Sequence, residues 1–280
     1  MKFLIYGKGF LGHHFLNYLR SQKEEVEFGT ADIGNLEQIR HDLLTYRPDI
    51  VLNCAGKTGR PNVDWCEDHK EETLYSNVTG PLILWHTCHE MSVRLVHLGS
   101  GCVYSGDNHG QGFRETDAPN FFDSFYSSTK AWSEQMLKPF PLLQLRLRMP
   151  IDKQPGPRNF ISKITKYEKI INIQNSMTVV EDLLFASYEL IKRKKTGIYN
   201  MTNPGAIDHV TILKMYQEIV DPNFKFEVMS LEEMYQKYAI AKRSNCVLNT
   251  EKLANEGIQM RPIKEAIRDC LEKGFLEKRS

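Results

Sequence analysis

The apolar positions of this chain fall into short runs separated by stretches with helical spacing. Lys2–Tyr6, Glu25–Phe28, Ile50–Gly56, Val93–Leu98 and Leu142–Leu147 read as strands, and Ile50–Gly56 is continuous enough in apolar residues to be buried on both faces. Between them, Phe15, Tyr18 and Leu19 recur at helical spacing, as do Leu74, Val78, Leu82 and Trp85 within one helix predicted over Glu71–Met91. Asn35 and Gln38 are spaced like a capping box, and a further helix is predicted from about Phe125 to Leu137. Strands alternating with helices predict an α/β fold, a Rossmann-type doubly wound parallel sheet. Beyond Leu147 the pattern changes. Phe160–Ile171 is amphipathic, Thr178–Ile191 and Val210–Val220 read as helices, Gly197–Met201 as a returning strand, and two helical segments close the chain. The expected division is a dinucleotide-binding domain over residues 1–150, completed by about 176–202, and a smaller substrate-binding lobe over 151–280.

Three features give this pattern its chemistry. Gly7-Lys8-Gly9-Phe10-Leu11-Gly12 stands between the first strand and the first helix. In that context the glycines allow a tight turn and close approach of a pyrophosphate to free N–H groups at a helix N-terminus. Asp32 lies near the place of a ribose-binding acid, although it can equally cradle adenine or help to start the next helix, and Lys8 is a cation available to an added ribose phosphate. Small residues after the third strand, around Asn53, Ala55 and Gly56, leave room for a dinucleotide across the sheet edge.

The second feature is Leu98-Gly99-Ser100-Gly101-Cys102, which closes the fourth strand. If the chain stays extended there, its period of two turns the Ser100 hydroxyl and the Cys102 thiol to one side. The third is Tyr126 with Lys130, four apart on a helix. A cation about 4 Å from the phenol, at an effective dielectric near 20, is worth about 4 kcal/mol, roughly three pK units, which brings a tyrosine into working range. The loop after the third strand offers Arg60, Asn62 and Asp64, and Asn77 sits inside the following helix, where asparagine adds nothing to helix stability.

Composition narrows the partners. Lys+Arg 36 against Asp+Glu 35 leaves a net charge of +1, so no bulk field recruits nucleic acid or an anionic membrane. The six cysteines show no metal-like spacing, which favours free thiols in a reducing compartment. The opening apolar run is too short for a signal or a span. A cytoplasmic protein is expected, with no metal, nucleic-acid or membrane partner; homodimerisation stays open.

Longer motifs carry a resemblance over nearly the whole chain: Gly59–Glu67, Ser100-Gly101-Cys102, Ser124–Ser127, Arg148–Ile151, Pro157–Ile161, Asn175–Thr178 and Thr202–Gly205. The sequence resembles the extended short-chain dehydrogenase/reductases and, more narrowly, the bifunctional UDP-4-keto-6-deoxyglucose 3,5-epimerase/4-reductases that form UDP-L-rhamnose. The resemblance implies Ser100, Tyr126 and Lys130 as the reductase set, with NADPH as hydride donor and NADH as the other candidate. It implies Cys102 and Lys163 as the epimerising acid/base pair. Arg158, Asn159, Arg243 and Asn245 are the candidates for the UDP end. Two features depart from the common family pattern: the glycine loop is one residue tighter, and Lys242 stands where proline is usual. The neighbouring readings are a dTDP-4-keto-rhamnose reductase-like or GDP-fucose synthase-like enzyme and, from another class, a non-catalytic nucleotide-binding regulatory subunit.

Overall fold

The computed structural model describes residues 1–277, which divide into two compact units. The first comprises Met1–Val103, Pro119–Arg146 and Leu190–Tyr199. It opens with β1 (Lys2–Tyr6), α1 (Phe10–Ser21), β2 (Glu25–Phe28), α2 (Leu36–Tyr46) and β3 (Ile50–Asn53). Two short helices follow, α3 (Trp65–Asp68) and α4 (Lys70–Leu74), then α5 (Gly80–Glu90), β4 (Arg94–Ser100), α6 (Phe125–Leu137) and β5 (Leu143–Leu147). The described sheet has the order β2-β1-β3-β4-β5-β9, the last strand being Gly197–Asn200. Pairing of β1 with β2 and β3, and of β3 with β4, is parallel, so the loops that follow these strands leave from one edge. The order reverses between β1 and β3, where α/β sheets open a crevice.

Helices form where an apolar stripe meets a cap. In α2, the Asn35 side chain accepts from Gln38 N–H at 3.0 Å while Ile39 and Leu43 turn inward onto Leu4, Val51 and Leu84. Only half of a capping box forms, because the Gln38 side chain accepts from Asp32 N–H rather than reaching back to Asn35. The helix predicted over Glu71–Met91 is interrupted. A π-helical turn at Tyr75–Thr79 separates α4 from α5, and Pro81, which has no N–H to continue an α-helical ladder, follows it. The extra residue shifts the buried face: Asn77, Val78 and Leu84 point inward, while Leu74 is exposed.

The second unit comprises Tyr104–Ala118, Leu147–Glu189 and Asn200 onward. Its elements are β6 (Pro150–Ile151), α7 (Phe160–Ile164), β7 (Lys169–Ile171), β8 (Thr178–Val179), α8 (Val180–Lys192, whose end lies in the first unit), α9 (His209–Ile219), β10 (Glu227–Met229), α10 (Leu231–Lys237), α11 (Glu251–Asn255) and α12 (Ile263–Cys270). Its core joins Ile161 and Ile164 to Met177, Ile212, Ile267 and Phe275. The amphipathic segment Phe160–Ile171 is therefore not one helix, because Lys169–Ile171 pairs in parallel with Glu227–Met229. The unit boundaries also differ from a cut at residue 150. Residues 104–118 join the second unit through bridges from Gly106 to Cys246 and Phe113 to Leu248, and the return to the first unit is only Leu190–Tyr199. The second unit is about as long as the first, not a small lobe.

Candidate active site

The glycine loop has the geometry of a pyrophosphate cradle. Gly7 has φ +98°, and a Cβ there would lie 2.4 Å from Ala55 N, so the loop after β1 packs directly on the loop after β3. At Gly12 a Cβ would meet Gly7 O at 2.0 Å. Gly9 is the opposite case: nothing lies within 4 Å of the position its Cβ would take, and it caps α1 with no side chain over the helix N-terminus. Two glycines thus permit close packing while the middle one keeps open the approach to free N–H groups. Lys8 is exposed beside them, and Phe10 and Leu11 are half-buried at the helix start.

After β2 the loop is held by a buried acid that periodicity did not single out. Asp42 accepts from Thr30 N, Thr30 Oγ1 and Ala31 N at 2.8–2.9 Å. Burial alone raises its pKa, but these bonds hold it below the usual carboxylate range. Asp32 is exposed, with its carboxylate accepting from Gly34 N–H. Asn53 is fully buried and acts within the protein: its Oδ1 accepts from Ala55 N–H at 2.9 Å, shaping the turn beyond β3, and its Nδ2 meets His97 Nδ1 at 3.1 Å. Burial, assisted by Lys130, pushes the His97 pKa well below its ordinary value, so the ring is neutral.

Ser100 ends β4, and the next residues turn instead of continuing extended. The expected period-two alignment of Ser100 with Cys102 does not form; a local bond replaces it, Cys102 N–H donating to Ser100 Oγ at 3.1 Å. Tyr126 lies in the first turn of α6, fixed by the Ser124 cap, whose hydroxyl accepts from Ser127 N–H, and by Glu67, whose carboxylate accepts from Phe125 N–H at 2.7 Å. Tyr126 and Lys130 share a helix face and are both buried. Lys130 Nζ donates to Leu98 O at 3.1 Å, which anchors α6 to β4. Burial lowers the Lys130 pKa to about 8, while Glu134 and Cys102 act in the opposite sense. Ser100, Cys102 and Lys130 thus meet at the C-terminal end of β4, and Tyr126 stands one helical turn before Lys130 on the same face of α6.

Asn77, in the π-helical turn, bridges two elements of this site. Its Oδ1 accepts from Lys57 N–H at 2.8 Å, and its Nδ2 donates to Lys57 O and to Thr129 Oγ1. Its bonds fasten the loop after β3 to α6. Within that loop, Asn62 Oδ1 accepts from Asp64 N–H, and Arg60 is exposed.

In the second unit, Asn159 caps α7 and is fully buried, with Oδ1 accepting from Ile161 N–H and Nδ2 donating to Asp152 O and Gln154 O. It shapes the loop that carries Arg158. Lys163 is half-buried, and burial, followed by the charge of Arg158, lowers its pKa. Arg243 donates from Nη1 to Ala241 O, and Asn245 accepts from Asn175 Nδ2 at 3.0 Å. Behind them is Arg148, 1% exposed, which donates to Ser244 Oγ, Ser244 O and Asn175 Oδ1 at 2.7–3.0 Å. No local spacing announces Arg148 or Glu67 as supports. Glu134 carries one legible signal, since it stands four residues after Lys130.

Comparison with known proteins agrees with this architecture. Residues 1–275 match the model of the RmlD substrate binding domain. A bifunctional dTDP-4-dehydrorhamnose 3,5-epimerase/dTDP-4-dehydrorhamnose reductase of Arabidopsis thaliana is 44% identical over 95% of this chain and 90% of its own length. A trifunctional UDP-glucose 4,6-dehydratase/UDP-4-keto-6-deoxy-D-glucose 3,5-epimerase/UDP-4-keto-L-rhamnose-reductase of the same plant is 42% identical over 95% of this chain, a match that spans only 41% of that longer protein. Among solved structures, a UDP-rhamnose synthase of Acanthamoeba polyphaga mimivirus superposes with a TM-score of 0.94 at 34% identity, covering 98% of this chain and 99% of that one. With this match over residues 1–275 and its parallel α/β sheet, the chain belongs to the RmlD substrate-binding-domain family.

Proposed function

We propose that this protein converts UDP-4-keto-6-deoxy-D-glucose to UDP-L-rhamnose by 3,5-epimerisation followed by NADPH-dependent reduction at C4. The observation that carries the reading is the meeting of a hydroxyl, a thiol and a buried lysine at the end of β4, with a buried phenol one helical turn before the lysine on the same face. The names of the plant and viral relatives, which couple epimerisation with reduction or make UDP-rhamnose, point the same way.

Ser100 Oγ accepts from Cys102 N–H, which leaves its own proton to donate to a substrate ketone. Tyr126 is the second donor. Hydrogen bonds to that oxygen strengthen as negative charge develops on it, and so lower the barrier to enolate formation. One polarised C4 ketone acidifies the hydrogens on both C3 and C5. Cys102 and Lys163 are the pair assigned to exchange them, Lys163 because its lowered pKa makes a neutral amine accessible. Reduction then needs a proton at the C4 oxygen, which Tyr126 supplies while the Lys130 ammonium offsets the charge left on the phenol.

The cradle of Gly7, Gly9 and Gly12 fits a dinucleotide, and the nicotinamide of NADPH, when bound, supplies the hydride. NADPH is favoured over NADH because β2 runs into Phe28-Gly29-Thr30 without a terminal acid, Asp32 is engaged with Gly34, and Lys8 is exposed in the loop. Arg158 and Arg243 are assigned to the UDP pyrophosphate.

Incubation with UDP-4-keto-6-deoxy-D-glucose and NADPH in deuterated water is expected to give UDP-rhamnose carrying deuterium at C3 and C5. Cys102→Ser is expected to abolish that product while still reducing UDP-4-keto-L-rhamnose. Unlabelled product of unchanged stereochemistry at C3 and C5 would leave a reductase alone.

A further inference from the structure

Lys130 is surrounded by few groups able to hold its charge. From β4 it meets Leu98 O, the neutral His97 ring and, just beyond the strand, Cys102. On its own helix Tyr126 precedes it by one turn and Glu134 follows by one turn. From the π-helical turn the neutral amide of Asn77 reaches the neighbouring Thr129. Glu134 is itself buried, 3% exposed, and its carboxylate is gripped at both oxygens by Arg146 of β5, Nε to Oε2 at 2.5 Å and Nη2 to Oε1 at 2.7 Å. The Arg146 guanidinium is completely buried. A bidentate pair of this kind fixes the carboxylate in one orientation. A buried ion pair adds little net stability compared with apolar residues of the same volume, so its presence beside a buried lysine calls for another role.

We infer that Glu134 is a positioning residue for proton delivery: locked by Arg146, its carboxylate keeps Lys130 charged despite burial and so sets the pH above which Tyr126 ceases to protonate the ketone. The inference rests on the reading of Tyr126 and Lys130 as the reductase pair. Arg146 and Glu134 act through Lys130 and not by touching substrate or cofactor.

The sign is fixed. Removing the carboxylate withdraws an attraction felt only by the ammonium, so the Lys130 pKa falls and the alkaline limb of reduction moves to lower pH. Arg146 is present in both proteins, so the displacement reflects the lost carboxylate alone, at a separation of one helical turn, and is about one pH unit. The test uses the full chain with NADPH and UDP-4-keto-L-rhamnose, comparing the pH profile of kcat/KM for wild type and Glu134→Gln. The alkaline limb is expected to drop by about one unit, with activity at the acid plateau little changed. Should Glu134→Gln fail to fold because it strands Arg146, the double variant Glu134→Leu with Arg146→Leu removes both charges together and is expected to move the limb in the same direction by less than about one unit, because loss of the more distant Arg146 cation acts in the opposite sense. A folded variant with an unmoved limb overturns the inference and leaves the ion pair a packing feature.

A second measurement separates this inference from the function it rests on. The Nζ resonance of Lys130 in lysine-labelled protein, assigned by its loss in Lys130→Met, reports the titration without turnover. A wild type that never oxidises NADPH with a 4-keto sugar defeats the proposed function, whereas an unchanged Nζ midpoint in Glu134→Gln defeats the role of Glu134.

Discussion

Arg146 and Arg148 are two residues apart on the chain, both are almost wholly buried, and they belong to different units. Arg146 meets a carboxylate, Glu134, in a bidentate pair that joins β5 to α6, the helix that carries Tyr126 and Lys130. Arg148 meets a hydroxyl, a carbonyl and an amide oxygen, and through them it fastens Ser244 to Asn175 beside Arg243 and Asn245. The partner sets the role of each arginine. A guanidinium facing a carboxylate fixes a negative charge for a neighbour to feel, whereas one facing neutral acceptors acts as a clamp, because its fork can bind several of them in fixed directions.

Arg146→Met sharpens the contrast most. It leaves Glu134 buried without its partner and is expected to cost about 3–5 kcal/mol of folding stability, measurable by urea unfolding. Arg148→Lys keeps a positive charge but cannot span three acceptors. An expected loss of about 1–3 kcal/mol should be accompanied by a raised KM for the sugar nucleotide at nearly unchanged kcat. A kcat loss as large as the KM change would mean that Arg148 reaches the chemistry and is not a clamp. Ser244→Ala gives the smallest effect. It removes the hydroxyl that accepts from Arg148 and donates to Tyr104 O, for about 1 kcal/mol. Equal losses from Arg148→Lys and Ser244→Ala would reduce the clamp to a single bond.

The site was legible to different depths in the two units. In the first, Gly7, Gly9 and Gly12 stand on one turn, Tyr126 and Lys130 on one helix face, and Ser100 at one strand end, so local spacing was enough to name them. Asn77 was visible as an anomaly in a helix, yet its partners Lys57 and Thr129 are distant in sequence and its π-helical setting has no 3.6-residue signature. In the second unit, the sequence sets Asn159 beside Arg158 as a substrate candidate, whereas the structure gives its side chain to the backbone of its own loop. Residues 104–118 carry no local signal of their unit for a related reason: their bridges to Cys246 and Leu248 join segments more than a hundred positions apart.

By itself the sequence determined the strand–helix alternation, the glycine turn and the shared face of Tyr126 and Lys130, because each is a property of neighbours within a turn or two of chain. Only the tertiary structure decided that Cys102 is set by a turn bonded to Ser100 and not by an extended strand, that Asp42 rather than Asp32 holds the loop after β2, and that Glu134 pairs with Arg146. Burial and long-range hydrogen bonding decide these points, since a side chain's charge state and direction depend on which distant groups exclude water from it.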